Sequence, residues 1–242
     1  MSRAASSTVR AILISLVLTA AFGAGVGAAF AGTDVGSVNF TLGRKSLTHA
    51  WSLSVPTQDT TSRVGQPALG VELSWGRQGW PVMVAFDILH SYDDGIIHVP
   101  QFFTTPAFDL RLRARILEVG LGVRRSWSVL GWSPYLGAGG SWVRGNSAIE
   151  IIDPNAGQFG VVMSSAHAQA SASGYWVGGG LIRRIGPRFQ IGLEGRYAKA
   201  TLPATPLVVQ GTLPFGITTT PERDGGGRHV NLVVGWSFPV RK

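Results

Sequence analysis

The sequence predicts an all-β protein, a closed antiparallel barrel of about eight strands that crosses a membrane. Three observations predict it: repeated segments in which apolar and polar residues alternate, an N-terminal export signal, and connections that alternate between tight and long. In the segment 188–198, Phe189 and Leu193 share one face, and Glu194 and Arg196 share the other. Alternation with a period of two is typical of a strand with one apolar face, and a transmembrane barrel turns that face to lipid.

Residues 1–31 are predicted to be a signal peptide. Arg3 and Arg10 precede an apolar run over 11–29, and Ala29-Phe30-Ala31 gives the small-x-small cleavage pattern. A membrane anchor is the alternative, but the second half of the run is Gly and Ala rather than Leu and Ile. Cleavage after Ala31 removes two arginines and no acid, so the formal charge falls from +8 to +6 and one barrel domain, 32–242, remains.

Composition excludes several other classes of protein. After residue 31 no run reaches the roughly 18 uninterrupted apolar residues of a spanning helix. The chain has no cysteine, which excludes a disulfide framework and a lipid anchor on cysteine. The basic excess suits an anionic lipid surface and is too weak to argue for nucleic acid. A soluble sandwich of two sheets is the remaining alternative.

The strand pattern recurs along the whole mature chain. Eight extended segments are predicted, at 35–44, 67–77, 80–92, 109–127, 132–146, 168–184, 188–200 and 228–240. The connections at 77–79, 128–131 and 185–187 are tight, whereas those at 45–66, 93–108, 147–167 and 201–227 are long and rich in Thr, Pro, Gly and Ser. Tight turns in the periplasm and long loops outside the cell are typical of outer-membrane barrels.

Aromatic residues give an independent indication of a membrane boundary. Trp and Tyr prefer that boundary because the ring is buried while its polar group stays wet. Six aromatic residues fall at or beside the tight turns and in the last strand, at one predicted level: Trp75, Trp80, Trp127, Trp132, Trp236 and Phe238. We predict that they form a girdle at the periplasmic rim.

With this signal peptide, strand count and loop alternation, the chain resembles the small eight-stranded outer-membrane proteins of the OmpA, OmpX and OmpW types. The resemblance covers essentially all of 32–242, and no subfamily is assigned. The closing segment V-N-L-V-V-G-W-S-F is similar to the C-terminal signal read by the outer-membrane insertion machinery. The chain departs from that signal because Pro-Val-Arg-Lys follows Phe238.

The polar parity of the strands is predicted to face the lumen, since lipid does not solvate charge. The predicted inward set is Glu72, Asp87, Glu118, Arg124, Gln190, Glu194, Arg196, His229 and Asn231. Glu194 and Arg196 are expected to pair with Arg183 or Arg184 on one neighbouring strand, with His229 or Asn231 on the other, and with Glu118 and Arg124 across the lumen. The glycines at 137–140 and 178–180 are interpreted as room for crowded side chains, because neither run matches a phosphate-binding loop.

Two interpretations of this lumen stay open. In the first, the paired charges form a plug, because eight strands leave an interior just wide enough for side chains. The protein would then have a structural or surface-interaction role and no enzymatic one. In the second, an arginine-carboxylate pair gates a narrow pore for small or apolar solutes.

A lipid-modifying enzyme is a weaker third candidate for this architecture. The residues that raise it are His167 near Ser164, Ser165 and Ser171, and His90 beside Ser91. No G-x-S-x-G motif accompanies them, and adjacent residues of a strand point to opposite faces. The histidines show no metal-ligand spacing, so no catalytic residue, cofactor or metal site is predicted.

Arg111, Arg113 and Arg115 share one parity beside a predicted long loop. Without a bulge, that parity continues into Leu117 and Val119 and places the arginines outside, at the level of lipopolysaccharide phosphates. A bulge near Ile116 would turn them inward instead. The predicted partners are therefore outer-membrane lipid, lipopolysaccharide and the insertion machinery, with no nucleic acid and the oligomeric state left open.

Overall fold

The computed structural model describes residues 34–46, 66–77, 79–99, 107–153, 161–211, 219–220 and 222–238. The predicted signal peptide lies outside the described residues. The strands of the described part are β1 (Asp34–Ser46), β2 (Gln66–Arg77), β3 (Met83–Val99), β4 (Phe108–Ser126), β5 (Trp132–Asp153), β6 (Val161–Ile185), β7 (Phe189–Lys199), β8 (Thr201–Leu202), β9 (Thr205–Pro206), β10 (Val208–Gln210), β11 (Thr219–Thr220), β12 (Arg223–Asp224) and β13 (Gly227–Phe238).

The eight long strands close into a ring. β1 to β7 pair with their sequence neighbours in antiparallel register, and β13 joins β7 to β1. Within the ring, each long strand is paired on both sides, so no strand edge is left open there. The predicted fold class is confirmed, and the alternative of two packed sheets is wrong.

Burial follows strand parity, as the alternation predicts. Along β13, His229, Asn231 and Val233 are buried, whereas Val230 and Leu232 are exposed. Charged residues thus turn inward while leucines and valines cover the outside, the arrangement that lipid requires. Among the described residues, no helix is long and apolar enough to cross a membrane.

The three tight turns share one end of the barrel with both termini of the ring. Gly79, Gly131 and Gly186 each have a positive φ, of 90°, 80° and 68°. Glycine adopts this conformation without steric cost, so these turns close in three to five residues.

Several strands are longer than the alternation predicts. Beyond Ser91, β3 has no β2 neighbour but stays paired to β4. In turn β4 pairs with β5, and β5 pairs with β6. Residues 92–99, 108–115, 146–153 and 161–169 therefore form a sheet that rises above the ring, which we call the extension. The prediction of long connections at 93–108 and 147–167 was wrong for 93–99, 147–153 and 161–167, where ladder pairing continues. Phe108, Leu110, Ile149 and Ile151 form a buried apolar cluster in the extension.

The chain between β7 and β13 folds back over the barrel mouth. β8 pairs with β12, β9 pairs with β11, and β10 adds to the free side of β6. We call residues 200–226 the capping hairpin, of which 212–218 and Pro221 lie outside the described residues. The sequence predicted only a loop here.

Two of the glycines predicted to give room lie against large side chains. A Cβ at Gly137 would lie 3.1 Å from the Trp176 ring, and one at Gly180 would lie 2.7 Å from the Tyr135 ring. Each glycine thus admits a large side chain that points into the lumen.

Candidate functional site in the barrel lumen

The half of the lumen nearer the tight turns holds one charge cluster, the Arg124 cluster. Both terminal nitrogens of Arg124 donate to the Glu72 carboxylate, and Nη2 also lies 3.5 Å from Oε2 of Glu194. The Tyr135 hydroxyl donates to the same Glu194 oxygen over 2.7 Å, and Asn231 Nδ2 donates to the other oxygen over 3.2 Å. The Arg124 guanidinium also stacks 3.8 Å above the Tyr135 ring. Side chains of five strands, β2, β4, β5, β7 and β13, are thereby joined across the interior.

Neutral polar side chains continue this cluster toward the tight turns. Asn39 Nδ2 donates to Glu72 Oε1 over 3.0 Å, and Gln190 Nε2 donates to Asn39 Oδ1 over 2.5 Å. Ser37 and Ser74 share a hydrogen bond of 2.8 Å between β1 and β2. Buried polar groups are stable when they are hydrogen-bonded in this way.

The other half of the lumen holds the Arg196 cluster. Arg196 donates to Glu118 and forms an ion pair with Asp87, both at 2.7 Å. Lys45 Nζ lies 3.3 Å from Glu118, and His229 Nε2 lies 3.5 Å from the same carboxylate. The Arg196 guanidinium lies 4.4 Å from the centre of the Trp176 ring. These charged side chains are at most 4% exposed.

The two clusters together contain four carboxylates and three basic side chains. The carboxylates belong to Glu72, Asp87, Glu118 and Glu194, and the cations are Lys45, Arg124 and Arg196. His229, which touches Glu118, is the remaining side chain able to supply positive charge. Nearly balanced charge is what a buried network requires, since an unpaired ion in the interior is costly.

An apolar layer separates these clusters from the barrel mouth. Leu202 of the capping hairpin is fully buried against Ile116, Val143, Ala170 and Ala200. Lys45 Nζ donates to the carbonyl oxygen of Gly225 over 2.8 Å, which ties the hairpin to the Arg196 cluster. Side chains of the two clusters and of this apolar layer thus lie at successive levels of the lumen, between the tight turns and the capping hairpin.

All nine residues of the predicted inward set are buried and lie on the inward parity. The expected pairing of Glu194 and Arg196 with Arg183 or Arg184 is wrong. Arg183 lies outward over the Trp132 ring, and Arg184 is exposed near the turn. The residues of β6 that lie opposite Glu194 and Arg196 are Gly180 and Gly178. Arg183 and Arg184 lie closer to the tight turn, and Arg183 points outward.

Sequence reasoning missed three members of the network, Lys45, Asn39 and Tyr135. The first segment was predicted to end at Arg44, although Ser37, Asn39 and Thr41 already set the polar parity that reaches Lys45. Extending that parity by one residue would have found the lysine. The inward position of Tyr135 could not be read in this way, because the glycines of its segment interrupt the alternation of apolar and polar residues.

The predicted girdle residues lie at the tight-turn end. Trp75 and Trp80 meet edge to face at 5.6 Å, and Trp236 packs between Phe40 and Phe189. Trp127 and Trp132 lie in or beside the β4–β5 turn, and Phe238 ends β13. Arg125 and Arg183 lie over the rings of Trp127 and Trp132, so cations accompany these aromatics.

Arg111, Arg113 and Arg115 lie outward in the extension, since β4 pairs on both sides without a register shift. Arg111 donates two hydrogen bonds, of 3.0 and 2.7 Å, to Asp94. Arg113 donates to Glu150 over 2.8 Å. Arg111 lowers the pKa of the Asp94 carboxyl below its ordinary value through this hydrogen bond. Two of the three arginines thus already have carboxylate partners.

The serine and histidine candidates lie at two separate places. His90 is exposed on the outer face while Ser91 is buried inside. His167 is exposed on the same parity as Ser165, whereas Ser164 is buried. Within the described ranges, no group of three or more acidic or histidine side chains is arranged to hold a metal ion.

Comparisons with known proteins bear on the fold alone. No protein-family model and no curated protein matches the sequence. Among solved structures, a major outer membrane protein of Thermus thermophilus is 9% identical with a TM-score of 0.51, over 85% of this chain and 99% of that one. OprG of Pseudomonas aeruginosa is 10% identical with a TM-score of 0.44, over 86% and 96%. Neisserial surface protein A is 13% identical with a TM-score of 0.42, over 85% and 97%.

Proposed function

We propose that this protein is a non-enzymatic barrel of the outer membrane of a Gram-negative cell, with a lumen closed by its own side chains. The observation that carries the proposal is the pair of buried charge clusters beneath the apolar layer around Leu202. A conducting pore needs a continuous water-filled path. Here the side chains that would line such a path bind one another instead.

The barrel would serve as a scaffold in the membrane. Its apolar outer face suits lipid, and its closing strand suits recognition by the outer-membrane insertion machinery. The tight turns would lie in the periplasm, and the extension and capping hairpin outside the cell, where they are available for surface interactions. Export through the predicted signal peptide is part of the proposal.

Conductance across a planar bilayer tests the closed lumen. Folded protein, identified by its heat-modifiable gel mobility, should give no reproducible unitary currents. The variant with Glu72→Ala and Arg124→Ala removes an ion pair as a unit, so it opens space without leaving Glu72 unpaired. Currents from this variant but not from the native protein would support the plug. Clear unitary currents from the native protein would overturn it in favour of a narrow pore.

Protease accessibility tests the orientation. Protease added to intact cells should cut within 45–66 or within 201–227. Protection of both segments together with cleavage near 128–131 would invert the barrel. Membrane fractionation of the same cells tests the location, because the proposal requires the chain in the outer-membrane fraction.

A further inference from the structure

Three basic side chains form a row on the outer face of β1, β13 and β7. Arg44, Arg228 and Lys199 are all exposed and all lie on the outward parity, at the end of the barrel away from the tight turns. Arg228 is the register partner of Tyr197 on β7 and of Ser46 on β1. Arg44 and Lys199 are therefore its two diagonal neighbours, at a spacing that long side chains bridge.

This row lies directly above the lipid-facing belt of the same strands. On β1 the next outward residue below Arg44 is Leu42, and on β13 Val230 and Leu232 follow Arg228. On β7, Tyr197 and Gly195 lie between Lys199 and Leu193. The four apolar side chains are 40% to 68% exposed. Exposed apolar side chains at this density mark the hydrocarbon region, and headgroup phosphates lie at its edge. Tyr197, between the cations, suits the same boundary.

The row has no carboxylate partner among the described residues. None of the ion pairs in that part of the chain involves Arg44, Arg228 or Lys199. The contrast is with Arg111 and Arg113 on the extension, which are bound to Asp94 and Glu150. Three neighbouring cations repel one another unless an external anion lies between them.

We propose that Arg44, Arg228 and Lys199 bind the phosphate groups of lipopolysaccharide in the outer leaflet. Three cations within reach of one another match a lipid that carries more than one phosphate, whereas one phosphodiester would leave charge uncompensated. Arginine binds phosphate oxygens through two parallel hydrogen bonds, and lysine adds a point charge. The Tyr197 hydroxyl supplies a further donor. The inference rests on the proposed orientation, with this end of the barrel outside the cell.

The test compares two sets of variants in purified, folded protein. The first set carries Arg44→Gln, Lys199→Gln and Arg228→Gln. The matched control carries Arg111→Gln and Arg113→Gln, which remove cations that already have carboxylate partners. Heat-modifiable mobility of each variant establishes that the barrel has formed, and binding is measured to vesicles with and without lipopolysaccharide.

The native protein should bind vesicles containing lipopolysaccharide more tightly than phosphatidylglycerol vesicles of equal surface charge. The first set should weaken that binding roughly a hundredfold, since each basic residue near an anionic surface contributes about a factor of five. The control should change it less than about threefold, within the range of an exposed pair.

Three results would overturn the inference. Equal loss of binding to both kinds of vesicle would indicate a general anionic-lipid surface. Equal loss in both sets of variants would indicate that charge alone matters and not this row. Full competition by inorganic phosphate at low concentration would indicate a site for the free ion. Failure of the proposed location appears separately, as absence from the outer-membrane fraction in cells, because the vesicle measurement needs only the folded barrel.

Discussion

The protein forms arginine-carboxylate pairs in two settings, inside the lumen and on the extension. The two settings differ in how much the loss of one partner destabilises the fold. In the lumen, Arg124 and Glu72 are 5% and 7% exposed, and each has further polar partners. On the extension, Arg111 and Asp94 are 27% and 32% exposed. Water compensates an exposed ion that loses its partner and does not compensate a buried one. Breaking an arginine-carboxylate pair should therefore lower stability strongly in the lumen and only slightly on the extension.

The largest expected effect comes from breaking the Arg124 cluster. Arg124→Ala leaves Glu72 and Glu194 without their cation, so the free energy of unfolding should fall by about 3 to 5 kcal/mol. Denaturant unfolding in detergent micelles measures it. Arg125→Ala is the matched control, because the adjacent side chain lies outward over the Trp127 ring and should cost at most about 1 kcal/mol. Similar losses of stability in both variants would mean that water enters the lumen and solvates the unpaired carboxylates.

The second largest effect concerns the apolar layer around Leu202, beneath the capping hairpin. Leu202→Ala removes a fully buried side chain and should destabilise the protein by about 2 to 5 kcal/mol, depending on how far the site collapses. Leu130→Ala, at a turn residue that is 97% exposed, should change stability by less than about 0.5 kcal/mol. An unchanged unfolding midpoint for Leu202→Ala would show that the hairpin does not close the mouth.

A double-mutant cycle sharpens the comparison between the two clusters. Glu118→Gln with Arg196→Gln should cost less than the two single changes summed, by about 0.5 to 3 kcal/mol, because the two side chains bind each other directly. The cycle of Glu194→Gln with Arg196→Gln should show a smaller coupling, since Glu194 binds Arg124 instead. Equal coupling in both cycles would mean that the lumen acts as one network.

The smallest effect is expected on the extension. Asp94→Asn should lower stability by only about 0.2 to 1 kcal/mol, as for other exposed pairs. The pKa of Asp94 is depressed, so its contribution is present above its ordinary value of 3.8 and is lost as the pH falls below that value. Native protein and Asp94→Asn should therefore converge in stability in acid. A difference that grows as the pH falls would contradict the pairing.

The sequence predicted the barrel because its signals are local. Alternation, tight turns at glycines and the position of the aromatics each depend on a few neighbouring residues, and all appear in the chain before it folds. The same parity rule gave the inward set, which lies buried in the lumen. The strand ends were less predictable, because the extension combines buried apolar residues such as Phe108 and Ile149 with outward charged residues such as Arg111, in segments that also contain Pro, Gly, Thr and Ser.

Partners across the lumen could not be obtained in the same way. Whether Arg196 meets Glu118, Asp87 or Arg183 depends on how the ring closes and on the stagger between strands, which no local pattern encodes. The burial of Leu202 likewise depends on the capping hairpin folding back onto Val143. Outside the glycine-rich segments, the sequence by itself determined which face of a strand is turned to lipid and which to the interior. Only the tertiary structure decided which interior charges bind one another, because the contacts that satisfy a buried charge come from strands far apart in the chain.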